Sequence, residues 1–594
     1  MDIWEKQFLF YTELKENDLY DNLLEILRDF FHKTEDINLI AKDWDNEMAK
    51  LFSDYYSEEF KRTEIIKNII FSFSENAKKY KKLIREKYKN SSNPNTILEK
   101  YLTNICKYFF DLKNDIHHCI CEELFRNMTN GDNSNVYVYI DNYQTLYQHD
   151  NKTDARYMSA FIHATEEEFE PIEYLHCSLV TKEMLTYDYL MFQILLEIAD
   201  TKNIDIKQLY RPYFAEFIIP VDQNGCARGR YSPNDKLAEI DSENGWFIAS
   251  VAANEMSGKN IESSFVEGEI LTCASPLKNS KGTLRFKRKF TDTEKKEINR
   301  AYSFHARHSR CDFTNILTQQ ASSIQKTTIY NIGHGNFIAL GDSNNEAKIV
   351  YDIGTPYRAK LSLYDAKDIM KIINPDLVII SHWDSDHYLG AFQANSNIYD
   401  ATWIAVMIED DGYINAKRII NYLACRGLIA LISPTDPSIP QPFAEYNNSG
   451  YKIQLFRGSG TSSPITPINC HGIAIRIESN NVTTLMCGDI PYDCLPDSIV
   501  KNNNYDYMVI PHHASNMSPK SYNSLRNISS IKYPIICVNG KEELGRTNVL
   551  VENGEHCDEI RKKSSIMYFT DNNTHSIKGY VCDLLNVNPK IKYL

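Results

Sequence analysis

The segment "SHWDSDH", from Ser381 to His387, places two histidines and two aspartates within six consecutive positions. It follows an apolar run, Leu377 to Ile380, and Gly390 stands close behind it. Imidazole nitrogens and carboxylate oxygens are the donors for zinc, manganese or iron(II), and several must converge because one ligand alone binds weakly. The segment therefore supplies four candidate metal ligands, His382, Asp384, Asp386 and His387. The alternative is a hydrogen-bonded turn with aspartate as cap and histidine as surface residue.

Two more polar clusters follow apolar strands. "VTTLMCGDI" closes on Asp489, and "YDYMVIPHHAS" closes on His512 and His513. Asp489 can bridge two metal ions, and one or the other of the two histidines can complete the second centre. Two divalent ions, zinc or manganese, about 3.5–4 Å apart can activate water and clamp an in-line displacement at phosphorus. The repeated placement of ligand types after strands predicts one converged site.

The elements that must position these residues begin near Lys326. "TTIYNIGHGNFIAL" predicts a strand, a glycine turn and a second strand, and "AKIVYDIGT" predicts a third strand ending at Asp352 and Gly354. "DAKDIMKIINPDLVIIS" predicts a helix, a stop at Pro375 and a buried strand. The first cluster then lies in the loop at the carboxyl end of a strand.

In this order and context, residues 326–594 resemble the metallo-β-lactamase-fold hydrolases. In style they are most similar to the hydrolase domain of bacterial DNA-uptake channels, through "NIGHGN", "DIGT", "CGDI" and "IPHHAS". The resemblance implies an α/β fold, an αββα sandwich of two sheets covered by helices. It also implies two divalent metal ions at the edge where strand-end loops meet.

The resemblance assigns the ligand places residue by residue. His382 takes the first place, Asp384 stands where a second histidine is usual, and His471 in "INCHGIAI" is the candidate for the intermediate histidine. A histidine at a strand entry is an equal alternative for His471. The remaining places fall to Asp386, His387, the bridging Asp489 and the pair His512 and His513, with Asp386 and His513 also predicted as catalytic. A carboxylate at position 384 hardens the first centre and favours manganese or iron over zinc.

Two further residues are candidates for substrate binding. His334 lies in the glycine turn, where a simple turn role is the alternative. Lys541 lies in "VNGKEELGRTN", Val538 to Asn548, where relatives often carry a loop ending in an extra histidine that this segment lacks. A phosphate contact by Lys541 competes with a plain surface turn.

The chain of 594 residues exceeds one compact domain. Residues 1–130 predict a helical amino-terminal region, residues 131–322 a mixed α/β region of unknown role, and residues 323–594 the hydrolase domain. A basic stretch, residues 278–310, holds eleven lysines and arginines against three acids. It is either a solvated hairpin and helix face or an arm that holds an anionic substrate.

Composition narrows the class of protein. A formal net charge of −14 argues against a protein coated for duplex DNA, although a nucleotide or a locally basic groove is compatible with it. No apolar run reaches about 20 residues, so no membrane partner is expected. The first residues lack the pattern of a signal peptide, and the 14 cysteines form no C-x-x-C pair. These features favour the cytoplasm.

The sequence therefore predicts a metal-dependent hydrolase of phosphodiester bonds in nucleic acid or nucleotides. The large amino-terminal part suits a gated effector, such as those of anti-phage defence, with a protein partner bound through residues 1–320. The alternative is a binding or regulatory protein whose metal site is structural or degenerate, which Asp384 and the missing loop histidine support.

Overall fold

A computed structural model describes residues 136–140, 173–181, 210–221, 229–230, 246–253, 265–272, 280–303, 312–321 and 324–593, with five helical positions between 184 and 195. Within the last range it leaves out 345, 356–372, 395, 410–411, 449, 463–466, 480–481, 540, 542–548, 572–578 and 584–590. The predicted helical region 1–130 and the helix predicted before Pro375 thus lie outside the described residues.

The described part of the middle region forms an antiparallel barrel. Its strands are β1 (Val136–Ile140), β2 (Glu173–Thr181), β3 (Ala215–Val221), β4 (Gly229–Arg230), β5 (Trp246–Ala253), β6 (Phe265–Thr272) and β7 (Ser280–Lys289). The order β3-β2-β1-β5-β7-β6 closes on itself because β3 also pairs with β6, and β4 adds to β6. The sequence predicted strands and helices here but not the closure.

The described part of the basic stretch, residues 280–303, contains β7 and the helix α1 (Asp292–Tyr302). Thr291 begins α1 with a capping box, in which its side chain accepts from Glu294 N while the Glu294 carboxylate accepts from Thr291 N. Glu294 also pairs with Arg288 at 2.7 Å on the exposed side of β7. The stretch is therefore built into the barrel wall and the helix beside it.

Two sheets face each other in the carboxy-terminal part. One has the order β13-β12-β11-β10-β9-β8-β21-β22, with β8 (Lys326–Tyr330), β9 (Phe337–Gly341), β10 (Ala347–Ile353), β11 (Leu377–Ile379), β12 (Thr402–Val406), β13 (Ile429–Ile432), β21 (Gly579–Asp583) and β22 (Ile591–Tyr593). The other runs β14-β15-β16-β17-β18-β19-β20, with β14 (Ala444–Asn447), β15 (Tyr451–Arg457), β16 (Ile473–Ser479), β17 (Val482–Met486), β18 (Asn504–Val509), β19 (Ser530–Asn539) and β20 (Tyr568–Asp571). The strands predicted around the motifs are confirmed.

One apolar core lies between the two sheets, with members such as Leu377 and Ile404 from the first and Ile475 and Ile535 from the second. A second core lies on the far face of the second sheet, where helix residues such as Leu525 and Ile560 pack against it. The helices are α2 (Phe313–Gln320), α3 (Ser385–Tyr388), α4 (Ile414–Cys425), α5 (Pro467–Cys470), α6 (Asp497–Val500), α7 (Pro519–Arg526) and α8 (Glu555–Arg561). Strands β10 to β13 and β17 to β20 run parallel, so their carboxyl ends share one edge of each sheet. None of the helices in the described ranges is long and apolar enough to cross a membrane.

The barrel packs on the sandwich through α4, all of whose residues are buried. Arg418 of α4 donates from Nε to Asp188 Oδ2 at 2.8 Å, and both side chains are fully buried. Asp188 also accepts from three tyrosine hydroxyls, those of Tyr210, Tyr213 and Tyr302. A buried charge needs such a set of partners because transfer out of water is costly. The two regions therefore share a polar, fully enclosed contact.

Candidate metal centre

The first cluster lies where β11 ends. His387 N donates to Asp384 O at 2.9 Å and closes the turn that begins α3. Asp384 holds the N-cap position, but its side chain makes no capping hydrogen bond within the described part of the chain. Its Oδ2 instead lies 3.4 Å from His382 Nε2. The carboxylate therefore faces an imidazole, which is the orientation that a ligand requires.

The glycine turn and the "DIGT" segment pack against the backbone of this loop at Asp386. Asn336 N donates to Asp386 O at 3.1 Å. A Cβ added to Gly354 would stand 1.8 Å from the same carbonyl oxygen. Since no side chain fits there, glycine lets the backbone approach closely enough to fix Asp386.

Asp489 enters the site from the second sheet, at the end of β17. Gly488 before it has φ 54°, a conformation that favours glycine, and a Cβ there would lie 2.5 Å from Ser381 Oγ. The close approach brings Asp489 to the first loop. Ile473 N, which donates to Ser381 O at 2.9 Å, fastens the same two sheets together.

The two oxygens of Asp489 face different pairs of histidines. Oδ1 lies 3.1 Å from His387 Nε2 and 3.7 Å from His513 Nε2. Oδ2 lies 2.8 Å from His512 Nδ1 and 3.9 Å from His382 Nε2. This arrangement suits a carboxylate shared by two ions.

Four ligand atoms, one each from Asp386, His387, Asp489 and His513, lie within 4.8 Å of one another, and all four residues are buried. The Nε2 atoms of His387 and His513 and Asp489 Oδ1 make no hydrogen bond of good geometry with any described residue. Buried polar atoms normally have a hydrogen-bond partner. A group of converging nitrogen and oxygen atoms without one therefore indicates that another partner binds there. The residues fit a divalent metal ion.

Burial and neighbouring charges shift the pKa values of the residues in the cluster. Burial raises the pKa of Asp386, but the charge of His387 and the close His513 ring, with Nε2 2.9 Å from Asp386 Oδ2, outweigh burial and hold that pKa well below its usual range. Burial lowers the pKa of His387, and the carboxylates of Asp489, Asp386 and Asp352 raise it well above the ordinary value. Burial lowers the pKa of His513. The cluster thus keeps its carboxylates ionised.

The second layer contains a residue that the sequence analysis did not select. Asp352 is fully buried, has φ 58°, and accepts from Ser381 N and Ser381 Oγ at 2.6 and 2.8 Å. Its Oδ2 lies 2.8 Å from His387 Nδ1. Carboxylates in this position fix the tautomer and the ring orientation of a ligating histidine. The available signal was "DIGT", an aspartate at the end of a buried strand.

Three further predicted site residues, His471, His334 and Lys541, are not members of this four-residue group. His471 follows α5, and its electrostatic neighbours are Arg457 and Glu409. The His334 ring lies 4.5 Å from that of His513, beside the cluster. Lys541 pairs with Glu552. Their roles stay predictions.

No protein-family model matches this chain, and no curated protein sequence is similar to it. Zn²⁺-bound PqqB from Methylobacterium extorquens is 12% identical, over 47% of this chain and 95% of that one, with a TM-score of 0.25. Human tRNase Z, short form, is 10% identical over 41% and 92%, with a TM-score of 0.23. CmlA, a diiron β-hydroxylase from Streptomyces venezuelae, is 10% identical over 90% and 89%, with a TM-score of 0.24. At these values the interpretation of the site depends on its own geometry.

Proposed function

We propose that the chain is a metal-dependent hydrolase that cleaves phosphodiester bonds, in nucleic acid or in a nucleotide, with two divalent metal ions. The observation that carries the proposal is the buried group Asp386, His387, Asp489 and His513, whose ligand atoms converge. Three of these atoms, His387 Nε2, Asp489 Oδ1 and His513 Nε2, make no hydrogen bond of good geometry among the described residues. Histidine with aspartate is a donor set for zinc, manganese and iron(II).

The ligands divide around Asp489. Asp386, His387, His513 and Asp489 would hold one ion. His382 and His512, which face Asp489 Oδ2, would hold the other together with Asp489 and with Asp384, which lies beside His382. Divalent ions in such a site supply Lewis acidity to the phosphoryl group and lower the pKa of water. The carboxylate of Asp386, kept ionised by its neighbours, would orient the attacking water.

The experiment measures metal content and hydrolysis separately. Protein purified without added metal is analysed for zinc, manganese and iron, and then incubated with bis-p-nitrophenyl phosphate and each ion. We expect about two ions per chain and turnover of the diester. No more than one ion and no turnover would favour the alternative, a regulatory protein with a structural or degenerate site.

Asp489→Ala is the matching variant. Because one carboxylate faces both groups of histidines, its loss should abolish metal occupancy and hydrolysis together. Asp506→Asn is the control, since this carboxylate bonds Thr483 N elsewhere on β17 and β18. Full activity of Asp489→Ala would remove the assignment of the site.

A further inference from the structure

The loop that carries His513 has an unusual backbone. His512, His513 and Ala514 have φ of 53°, 50° and 60°, three consecutive non-glycine residues in the left-handed region. A non-glycine residue in this region is strained and persists only where its surroundings hold it. The bonds of this loop to the rest of the protein therefore decide where the His513 ring lies.

Backbone hydrogen bonds hold the first and last residues of this loop, His512 and Ser515. His512 N donates to Gly488 O at 3.2 Å, and Ser515 N donates to His512 O at 2.7 Å. The His513 ring is turned by its Nδ1, which lies 3.0 Å from Cys537 O. These contacts leave Ser515 O facing away from the loop, toward α8.

His556 of α8 meets that oxygen. Its Nδ1 lies 3.0 Å from Ser515 O, and its Nε2 lies 3.0 Å from Tyr492 OH. Tyr492 begins the 3₁₀ turn Tyr492–Cys494, three residues after Asp489, and its own amide donates to Ser521 Oγ at 2.9 Å. One imidazole thus connects the loop of His513 with the segment that follows Asp489.

The two hydrogen bonds of the His556 ring require one tautomer. His556 is fully buried, and burial lowers its pKa to about 4, so it is neutral at pH 7. A neutral imidazole has one N–H, and a carbonyl oxygen only accepts. Nδ1 therefore donates to Ser515 O, and Nε2 accepts from Tyr492 OH.

We propose that His556 is a positioning residue, which holds the loop of His513 and the segment after Asp489 at the separation that two ligands of one metal ion require. The inference rests on the proposed metal centre, but its test uses metal binding and needs no hydrolysis. His556 touches neither a ligand side chain nor a substrate in this role.

The test is a metal titration of the full-length chain, with Mn²⁺ and Zn²⁺ added to metal-free protein. His556→Phe removes both hydrogen bonds and should lower metal affinity 10–100-fold, the range for such outer partners. His556→Asn places an amide N–H near the position of Nδ1 and should lose less than tenfold. His556→Gln extends toward Tyr492 and leaves Ser515 O without its donor, so it should lose as much as His556→Phe.

A variant of the same helix separates positioning from stability. Glu559→Gln weakens the pairs that α8 makes with Arg526 and Lys562 but touches neither loop. It should lower thermal stability and leave metal affinity unchanged. Tyr492→Phe, which deletes one hydroxyl, should fold and lower affinity less than His556→Phe.

The outcomes are distinct. Equal metal affinity in all His556 variants, or losses that only follow thermal stability as in Glu559→Gln, would overturn the positioning role while the hydrolase proposal stands. If His556→Asn binds metal more tightly than His556→Gln and His556→Phe, but the wild-type protein hydrolyses no diester, the positioning role is supported and the proposed reaction is rejected. A wild type that binds no metal would overturn both.

Discussion

The carboxylate of Asp352 fixes the ring of His387, since its Oδ2 lies 2.8 Å from His387 Nδ1. The other ring nitrogen, Nε2, is thereby aimed at Asp489 Oδ1, 3.1 Å away. Both side chains of the first pair are fully buried, so water does not compete for the bond. The orientation of one predicted metal ligand is thus set by a residue on a neighbouring strand.

Asp352→Asn tests this relationship. An asparagine keeps the size of the side chain but removes the charge that stabilises His387, and loss of such a partner typically lowers metal affinity 10–100-fold. Metal titration of the purified variant is the measurement. Asp342→Asn is the control, because Asp342 accepts from Asn344 N in the β9–β10 turn. Wild-type affinity in Asp352→Asn would show that the bond does not orient a ligand.

Metal binding should release protons near neutral pH. His387 has a pKa raised well above its ordinary value by the carboxylates around it, despite burial, so the metal-free protein holds a proton there. A metal ion needs the neutral imidazole and must displace that proton. Affinity should therefore fall as the pH drops below this raised pKa and rise with pH up to it. Calorimetric titration in two buffers of different ionisation enthalpy measures the protons released, and a value of zero at pH 7 would contradict the expectation.

The sequence was informative where the signal is local. Apolar runs that lead into the glycine turn and the His and Asp clusters predicted β8 to β11, β17 and β18, because a buried strand and the ligands at its carboxyl end are adjacent in the chain. Barrel closure was not predictable in this way. β3 pairs with β6 although β4 and β5 lie between them in the chain. Residue types within a strand do not indicate which distant strand it will pair with.

Long-range partners explain what the site analysis missed. Asp352 gains its role from a ring 35 positions away, and Arg418 meets Asp188 across 230 positions. Lys541, predicted as a phosphate contact in the segment where relatives often carry an extra histidine, pairs with Glu552, and its role stays a prediction. Residue type and spacing indicate which groups can bind a metal, but the second layer depends on packing between sheets.

The contact of Arg418 with Asp188 should be costly to break from one side. Arg418→Met leaves a carboxylate buried without its cation, and such losses are about 3–5 kcal/mol. The double variant Asp188→Asn/Arg418→Met should lose less than the sum of the two single variants, since the second change removes the stranded charge. Urea unfolding of the three variants is the measurement.

Arg426→Met is the control for that series. Arg426 lies just beyond α4 and pairs with Asp400 at 2.9 Å, where the side chains are 17% and 37% exposed. A pair with this exposure is worth about 0–1 kcal/mol. If Arg418→Met and Arg426→Met lower the free energy of unfolding by the same amount, the buried contact between barrel and sandwich is worth no more than an exposed ion pair.

Asp384 distinguishes this chain from the usual pattern of the hydrolases it resembles, and its geometry separates two roles. As a ligand, it would contribute a hard donor beside His382 Nε2, 3.4 Å away. Asp384→His should then keep the centre and shift its preference from manganese toward zinc, because imidazole is the softer donor and the charge rises by one. Asp384→Ala should lower metal affinity about tenfold or more.

Asp384→Asn decides between the two roles, because asparagine caps helices about as well as aspartate but is a neutral, weaker metal donor. If residue 384 only begins α3, the Asn variant should match the wild type in metal affinity and stability. The Ala variant should then lose about 0.5–2 kcal/mol of stability and bind metal as the wild type does. If it binds metal, the Asn variant should lose affinity at unchanged thermal stability. Side-by-side titrations of wild type, Asn, His and Ala proteins with Mn²⁺ and Zn²⁺ make the comparison. The carboxylate makes no capping bond within the described residues and faces His382, so we expect the second result; equal affinity and equal metal preference in all four proteins would reject it.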